Sequence, residues 1–200
     1  VKNVRTNWDG NFSVKFRVGY EYDKKYLLDF ALMLQENGVD LLVLHPRIKD
    51  EKLKRKSKWE YIAFIKENLR IPVWGNGDVF SKEDADKMLA ETSCDGILIG
   101  RGVIKKPWIF TELTEDNFII SKLEIAKISF IYFNILKKYF SGKKFRRIYN
   151  YFISHYAKNF SFGHLLWTAV INVNSEEEIP EILYDYFERV EKIERQDFKF

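Results

Sequence analysis

The sequence is poor in features typical of secreted and membrane proteins. Cys94 is the only cysteine among 200 residues, so an intramolecular disulfide is impossible and a reducing compartment, the cytoplasm, is expected. No apolar run approaches the ~20 residues of a membrane-spanning helix, so no membrane partner is predicted. No signal peptide is visible in the opening Val1-Lys-Asn-Val-Arg5. Because the chain opens without methionine and in a helical pattern, we expect that an N-terminal portion is missing.

Metal ligands and reactive thiols are scarce as well. His155 and His164 have no acidic or cysteine partner at ligand spacing, so no metal site is predicted. Cys94 precedes a predicted strand and has no histidine or lysine beside it, which favours a small buried residue over a nucleophile. The net charge of +4 is mild, and the composition is that of an ordinary globular protein.

Short apolar runs recur at a regular interval in the first half. Their centres fall near Val14, Val43, Val73 and Ile97, with a helical pattern between successive runs. Strands and helices alternating in this way predict right-handed βαβ units and a parallel sheet. Four such units make half of a (β/α)8 barrel, which typically needs ~250 residues. The exposed sheet edges of a half-barrel predict either a fragment or a partner that supplies the other half.

Two of these runs end in glycines. Ile71–Trp74 leads into Gly75-Asn-Gly-Asp78, and Gly96–Ile99 leads into Gly100-Arg-Gly102. In a β/α barrel, the loops after the seventh and eighth strands are a common phosphate site. We therefore interpret the two exits, with the guanidinium of Arg101, as the site that binds the phosphate of a cofactor. Two ordinary βα turns would show the same glycine spacing, which does not decide between the two interpretations.

Polar side chains at other strand ends are expected at the same rim. Lys15 lies in the first strand, His45 ends the second, and Asn76 and Asp78 follow the third. A lysine there can neutralise an electron-rich cofactor ring or its bound anion, and a histidine can donate a hydrogen bond to a carbonyl or phosphate. A solvent-facing lysine and a structural histidine are the alternatives.

The alternation of strands and helices stops near residue 112. Amphipathic helical patterns follow over Phe118–Phe140, Lys143–Phe160 and His164–Val173, and a capping box at Ser175 begins a fourth helix. We predict an α/β domain over residues 1–112 and an all-α helical bundle domain over residues 113–200.

Charge is unevenly divided within the helical half. Residues 118–160 have a net charge of +8, whereas residues 161–200 have −5. Aromatic residues interleave with the basic ones, a combination that suits a polyphosphate partner with exposed bases. A solvated helix face over an aromatic core would have the same composition, and charge alone favours that simpler interpretation.

Several motifs together resemble the tRNA-dihydrouridine synthases. They are Ser13-Val-Lys-Phe-Arg-Val-Gly19, Leu44-His-Pro-Arg47, Ile71-Pro-Val-Trp-Gly-Asn-Gly-Asp78, and Asp95-Gly-Ile-Leu-Ile-Gly-Arg-Gly102 followed by Pro107-Trp-Ile-Phe110. Their order and spacing agree with this family over residues 1 to about 110. The resemblance implies the C-terminal half of a TIM (β/α)8 barrel that binds FMN, followed by a helical domain that binds tRNA.

The resemblance also implies an activity and a site. Enzymes of this family are flavoprotein oxidoreductases that use FMN and NADPH to reduce uridine to 5,6-dihydrouridine in tRNA, with the target uridine flipped onto the flavin. By similarity, the residues that would hold FMN are Lys15 and His45 near its ring and ribityl-phosphate side, Asn76, Gly77 and Asp78 at the ribityl and phosphate end, and Gly100 and Arg101 on the phosphate.

Two further expectations follow from the resemblance. The helical domain of the family helps to bind tRNA, and the residues expected at the RNA are Lys143, Lys144, Arg146, Arg147, Tyr156 and Lys158. The family's proton donor, a cysteine on a loop of the first barrel half, has no match in this sequence. The chain alone is therefore expected to be inactive and to contain no catalytic residue.

Two other functions stay open. One is a non-catalytic tRNA-binding remnant that keeps the basic helices. The other is a different phosphate-binding βα-barrel enzyme, which would hold a sugar phosphate at the glycine exits without FMN.

Overall fold

A computed structural model describes residues 1–51 and 55–198 of the chain. The described residues fall into two compact units, Val1–Val103 and the part that begins at Ile104. The boundary predicted at residues 112/113, and the assignment of FMN to one domain and tRNA to the other, stay predictions.

The first unit is built on a four-stranded parallel sheet with the strand order β1-β2-β3-β4. Its strands are β1 (Ser13–Gly19), β2 (Leu41–Ile48), β3 (Val73–Asn76) and β4 (Gly96–Leu98), and its helices are α1 (Lys2–Asn7), α2 (Lys24–Glu36), α3 (Glu60–Asn68) and α4 (Lys82–Thr92), before the short α5 (Arg101–Lys105). The α/β alternation and the parallel sheet are confirmed. Strand β3 extends to Asn76, beyond the predicted end at Trp74, because Asn76 still pairs with Leu98 of β4.

Side-chain caps begin the helices that follow β1 and β3. Asp23 accepts a hydrogen bond of 3.0 Å from the Tyr26 N–H at the start of α2. The Ser81 hydroxyl accepts one of 3.3 Å from the Asp84 N–H at the start of α4, so the N-cap predicted at Ser81 is confirmed. Each cap fixes where the chain turns back from a strand exit into a helix.

Helices cover one face of the sheet, and the other face has both polar and apolar side chains. Leu42 and Val73, paired neighbours on the covered face, are fully buried. Gly75 follows on that face, where a Cβ would lie 2.6 Å from the Met88 sulfur of α4, so a larger residue there would have to displace the Met88 side chain. Alternation along the strands places Lys15 and Trp74 on the opposite face, where the Trp74 side chain stays 37% exposed.

The second unit is helical throughout its described part. After α6 (Ile109–Thr114), its helices are α7 (Lys122–Tyr139), α8 (Gly142–Tyr156), α9 (Gly163–Ile171) and α10 (Ile179–Tyr186). Contacts run from α7 to α8, α8 to α9, α9 to α10 and α10 back to α7, around a core rich in buried aromatic side chains. None of the described helices has the length and apolarity that a membrane crossing requires.

The positions at which two helices of this unit begin differ slightly from the sequence prediction. Helix α7 begins after Ser121 rather than at Phe118, because Ser121 and Glu124 form a reciprocal capping box. The capping box predicted at Ser175 is present with Glu178, but it opens a 3-10 turn that runs into α10.

Candidate functional site

A cavity of about 170 Å³ lies at the carboxyl ends of the strands in the first unit. Both glycine exits line it, together with Arg17 of β1 and His45 of β2. The prediction that His45 ends the second strand is wrong, because β2 continues to Ile48. Of the residues predicted to hold FMN, only Lys15 does not line this cavity. The others do, and they are His45, Asn76, Gly77, Asp78, Gly100 and Arg101. The structure thus brings together side chains that are up to 56 positions apart in the sequence, although their role toward a cofactor stays a prediction.

Lys15 does not line the cavity, but Arg17, two residues further along β1, does. Both side chains lie on the same face of β1, and the register pairs Arg17 with His45 and Lys15 with Val43. Burial, followed by the charge of Arg17, lowers the pKa of the Lys15 ammonium. Sequence analysis overlooked Arg17, although the two-residue alternation of β1 contained the signal.

His45 is neutral at physiological pH. Its side chain is buried, and Nε2 has no hydrogen-bond partner in the described part of the chain. Burial lowers the pKa of the imidazole to about 4, and the positive charges of Arg17, Lys15 and Arg47 act in the same direction. A neutral imidazole with an unsatisfied ring nitrogen can exchange a hydrogen bond with a ligand in the cavity.

The Asp78 carboxylate joins three separate segments. It forms an ion pair with the buried Arg47 guanidinium and accepts a hydrogen bond of 2.7 Å from the Ser57 N–H. Its other oxygen lies 3.5 Å from Nη2 of Arg101. Both oxygens are therefore engaged by protein groups, and Asp78 positions two guanidinium groups at the rim.

Backbone geometry at the two exits leaves room for a ligand at one of them. Gly77 has a φ of +119°, and a Cβ there would lie 2.5 Å from the Ser57 hydroxyl oxygen, so the turn requires glycine. A Cβ added to Gly100 would meet no heavy atom within 4 Å, so the space beside Gly100 is open. The Asn76 amide donates a hydrogen bond of 2.6 Å to the Leu98 carbonyl and so ties the first exit to β4.

A larger cavity, of about 680 Å³, adjoins the first and shares Asp78, Phe80 and Arg101 with it. Arg47, near the end of β2, and Ser57, in the segment that follows β2, both line it. Sequence analysis did not single out either residue for a role, because their partner Asp78 lies at least 21 positions away.

The family model described as Dihydrouridine synthase (Dus) matches residues 1–188. This chain belongs to the dihydrouridine synthase family.

Relatives of this dihydrouridine synthase chain bear matching names. The "Probable tRNA-dihydrouridine synthase" of Mycobacterium tuberculosis (strain ATCC 25618 / H37Rv) is 32% identical over 179 residues, which cover 86% of this chain and 46% of the relative. The "tRNA-dihydrouridine(16) synthase" of Shewanella oneidensis is 41% identical over 95 residues, covering 48% of this chain and 30% of the relative. The chain thus spans about half, or less, of the length of these curated relatives. A solved structure, wild-type GGGPS from Thermoplasma volcanium, aligns with a TM-score of only 0.35 at 22% identity, over 46% of this chain and 35% of that one.

The single cysteine of this dihydrouridine synthase chain lies away from the cavity. Cys94 is 6% exposed, and its sulfur sits 3.4 Å from where a Cβ of Gly75 would be, on the helix-covered face of the sheet. The thiol donates a hydrogen bond of 3.3 Å to the Gly96 carbonyl. Its expected role as a small buried residue is confirmed.

The basic residues predicted at the RNA differ in how freely the dihydrouridine synthase chain presents them. Lys143, Arg147 and Lys158 are exposed. Lys144 is exposed too, with its ammonium 4.5 Å from the ring centroid of Phe140. Arg146, in contrast, is half-buried and donates to carbonyls at and after the end of α9, the shortest of these hydrogen bonds being 2.7 Å.

Tyr156 does not belong to this surface, and the prediction that it contacts RNA is wrong. The side chain is fully buried, and its hydroxyl donates a hydrogen bond to the Ile125 carbonyl. Burial also raises its pKa. On α8, the exposed aromatic residue is Tyr151, which is 52% exposed and lies one turn beyond Arg147.

Proposed function

We propose that this chain is the FMN-binding and tRNA-binding part of a cytoplasmic tRNA-dihydrouridine synthase. The observation that supports this most directly is the cavity between the glycine exits, with its unsatisfied His45 nitrogen, in a chain that belongs to the family. The tRNA substrate is taken from the names of the relatives.

The cavity fits one end of FMN. Open space beside Gly100 and the guanidinium of Arg101 suit a phosphate, and a volume of about 170 Å³ takes that group rather than a whole flavin. His45 adds a neutral hydrogen-bonding nitrogen, and Lys15 adds positive charge on the same sheet face. The phosphate would lie at the glycine exits, and the ribityl chain and then the edge of the flavin ring would lie progressively further from them.

The chemistry that FMN supplies when bound is hydride transfer from NADPH to the C5–C6 bond of uridine. The residues of this chain orient the participants. Arg101 and Gly100 would hold the phosphate, while Asp78 keeps the Arg101 side chain at the rim. Asn76 and Gly77 fix the shape of the first exit, and the neutral state of His45 lets it hydrogen-bond without adding a further cation to the site.

We propose further that the sheet is the C-terminal half of a TIM (β/α)8 barrel. Among the described strands, β1 and β4 each pair on one side only. On the face with Lys15 and Trp74, the Trp74 side chain stays exposed in the part of the chain that the structure describes, and this face would line the barrel interior. A second half, on a longer chain or a partner chain, would close both edges and cover Trp74.

The proton donor of the reaction would come from outside these 200 residues. Cys94 is the only cysteine of the sequence, and its thiol lies under helices on the face of the sheet that the cavity does not use. The chain alone is therefore proposed to bind FMN and tRNA without reducing uridine.

The proposed RNA surface is a stripe along α8 and the turn after it. Lys143, Arg147 and Tyr151 follow one another at intervals of four residues, which keeps them on one face of α8, and Lys158 lies in the 3-10 turn after the helix. Three cations would neutralise phosphates, and the tyrosine ring could stack on an exposed base. Lys144 extends this surface, whereas Arg146 is held by backbone carbonyls.

Titration of the 200-residue chain with FMN, followed by flavin fluorescence, tests the cofactor proposal. Arg101→Ala should weaken FMN binding by about 10- to 100-fold, because a charge-assisted hydrogen bond contributes about 1.5–3 kcal/mol. Arg70→Ala, an exposed arginine that does not line the cavity, is the matched control and should leave the affinity unchanged.

The same assay separates the alternatives. Salt-sensitive tRNA binding without any FMN binding would favour a non-catalytic tRNA-binding remnant. Binding of a phosphorylated sugar in place of FMN would favour another phosphate-binding barrel enzyme. FMN-dependent reduction of uridine by the unaided chain would contradict the proposal that it is inactive.

A further inference from the structure

The 680 Å³ cavity has no role in the function proposed so far. It is lined by residues of the segment before α3 and of helix α4, and it shares Asp78, Phe80 and Arg101 with the cavity proposed for the FMN phosphate. Its volume is in the range of about 300–1,000 Å³ that small-molecule sites occupy. The chemistry of its walls indicates which ligand it would recognise.

Buried donors without acceptors line this cavity. Arg47 is 2% exposed, and although Nη2 binds Asp78, neither Nε nor Nη1 has an acceptor within residues 1–51 and 55–198. The Ser57 hydroxyl is likewise buried and unsatisfied there. Buried polar groups are nearly always hydrogen-bonded, so three unsatisfied groups on two neighbouring side chains indicate a missing acceptor. Because two of the three belong to a guanidinium, that acceptor is best supplied by an anion.

The rim adds charge and aromatic surface. Arg55 and Lys56 are exposed on the same segment. Trp59 and Phe80 supply half-buried rings, and the Trp59 indole N–H is already bound to the Gly77 carbonyl at 3.0 Å. The walls thus offer cations for phosphate and apolar surface for a sugar or base.

Acidic side chains limit the ligand to one side of the cavity. Glu91 of α4 pairs with Lys87 at 3.7 Å, and the Asp84 carboxylate accepts from the Phe80 N–H at 2.9 Å. Glu60, which is exposed, is the remaining acidic residue at the rim besides Asp78. A phosphate would avoid α4 and lie against the segment with Arg47 and Arg55.

We infer that this cavity binds a phosphodiester of an RNA strand, with the phosphate against Arg47, Ser57 and Arg55. The inference rests on the proposed tRNA substrate for the identity of the strand. It adds a nucleic-acid contact in the first unit, separate from the basic stripe on α8.

The test compares two double variants of the 200-residue chain that lose the same charge. Arg55→Ala/Lys56→Ala removes both exposed cations of the rim, and Lys2→Ala/Arg70→Ala removes two exposed cations that do not line the cavity. Affinity for unfractionated tRNA is measured at several salt concentrations, and FMN affinity is measured in parallel. The rim variant should bind tRNA about 3- to 30-fold more weakly, with a salt slope smaller by about 1 to 2, while the control and all FMN affinities stay unchanged.

The outcomes are distinct from a failure of the proposed function. If the wild-type chain binds neither FMN nor tRNA, the proposed function fails. If it binds tRNA and the two double variants weaken equally, or not at all, the cavity inference is overturned. Competition by inorganic phosphate or AMP at concentrations that displace tRNA from the wild type, but not from the rim variant, would assign the cavity to a free phosphate instead and would overturn the strand assignment.

Ser57→Ala gives a second readout that does not depend on rim charge. It removes an unsatisfied hydroxyl but keeps the N–H that binds Asp78, so the melting temperature should stay equal or rise. Binding of tRNA should nevertheless weaken by about 3- to 10-fold. Unchanged tRNA affinity in a fully folded Ser57→Ala variant would argue that the hydroxyl faces no ligand.

Discussion

The two units of the chain differ in how they satisfy their buried polar groups. In the first unit, His45, Arg47 and Ser57 each retain a buried donor or acceptor without a partner in the described residues. In the second unit, the buried hydroxyls of Tyr149 and Tyr156 both donate to main-chain carbonyls of α7.

Buried carboxylates of the second unit follow the same rule. Glu191 accepts from the Ser161 N–H at 2.5 Å and from Lys122 at 2.9 Å. Glu176 is bound by Lys137 through one oxygen, and its other oxygen is the unit's one unsatisfied buried side-chain atom in the described region. The difference teaches that the helical core satisfies nearly all of its own buried polar groups, so the RNA contacts proposed for this unit must lie on its surface. The sheet unit leaves buried polar groups unsatisfied, which agrees with the proposal that its ligands bind inside it.

The largest effect should come from the core of the second unit. Phe145 is fully buried and packs on Phe133 and Tyr149, so Phe145→Ala should lower the free energy of unfolding by about 3–5 kcal/mol. Tyr151→Ala on the exposed face of the same helix should cost less than about 0.5 kcal/mol. Urea unfolding measures both, and a loss below about 1 kcal/mol for Phe145→Ala would show that this core is loosely packed.

A pH effect should arise from the first unit. Folded His45 has a pKa of about 4, below the ordinary value of 6.5, so between these values the unfolded chain binds a proton that the folded chain does not. The free energy of unfolding should therefore fall as the pH drops from about 6.5 to about 4, by at most about 3 kcal/mol.

His45→Gln should remove this contribution, as urea unfolding at pH 7 and pH 4.5 would reveal. The matched control, His164→Gln on the exposed surface of α9, should keep the full dependence. An identical pH dependence in wild type and His45→Gln would mean that the imidazole titrates normally in the folded chain.

A pair of single-atom deletions sharpens the contrast between the units. Tyr156→Phe should lower the free energy of unfolding by about 1 kcal/mol, because the buried Ile125 carbonyl loses its donor. Ser57→Ala should cost nothing, since its hydroxyl has no partner to lose. Thermal melts of both variants measure these losses. Similar losses of unfolding free energy in the two variants would show that the units do not differ in how they satisfy buried hydroxyls.

The smallest change is expected at the surface of the second unit. Lys143→Ala/Arg147→Ala should weaken tRNA binding by about 3- to 10-fold near 0.1 M salt and reduce the salt slope by about 1 to 2. Arg189→Ala/Lys192→Ala removes the same charge from the acidic end of this unit and should have no such effect. Equal weakening by both pairs would indicate a response to net charge alone.

Much of the sheet unit could be predicted from the sequence because local signals determine it. Apolar runs with helical patterns between them gave the parallel strands, and the glycines after β3 and β4 located the rim of the cavity. The Arg47–Asp78 ion pair could not be predicted, since it joins residues 31 positions apart and neither neighbouring sequence indicates the other.

The error at Tyr156 had a different origin. Phe145, Tyr149, Phe152 and Tyr156 recur at intervals of four, three and four residues, which is the pattern of one buried helical face. Interpreting the tyrosines by composition, as aromatic residues between cations, ignored this periodicity. A helical projection would have separated Tyr156 in the core from Tyr151 at the surface.

Asp78 lines both cavities, and this has a thermodynamic consequence. Its carboxylate binds Arg47 through one oxygen and lies near Arg101 through the other, so an anion that draws either guanidinium toward itself competes with Asp78 and changes the electrostatic field at the other guanidinium. Ligands at the two proposed sites should therefore bind with coupled affinities. The factor by which the first ligand changes the affinity for the second must equal the factor by which the second changes the affinity for the first.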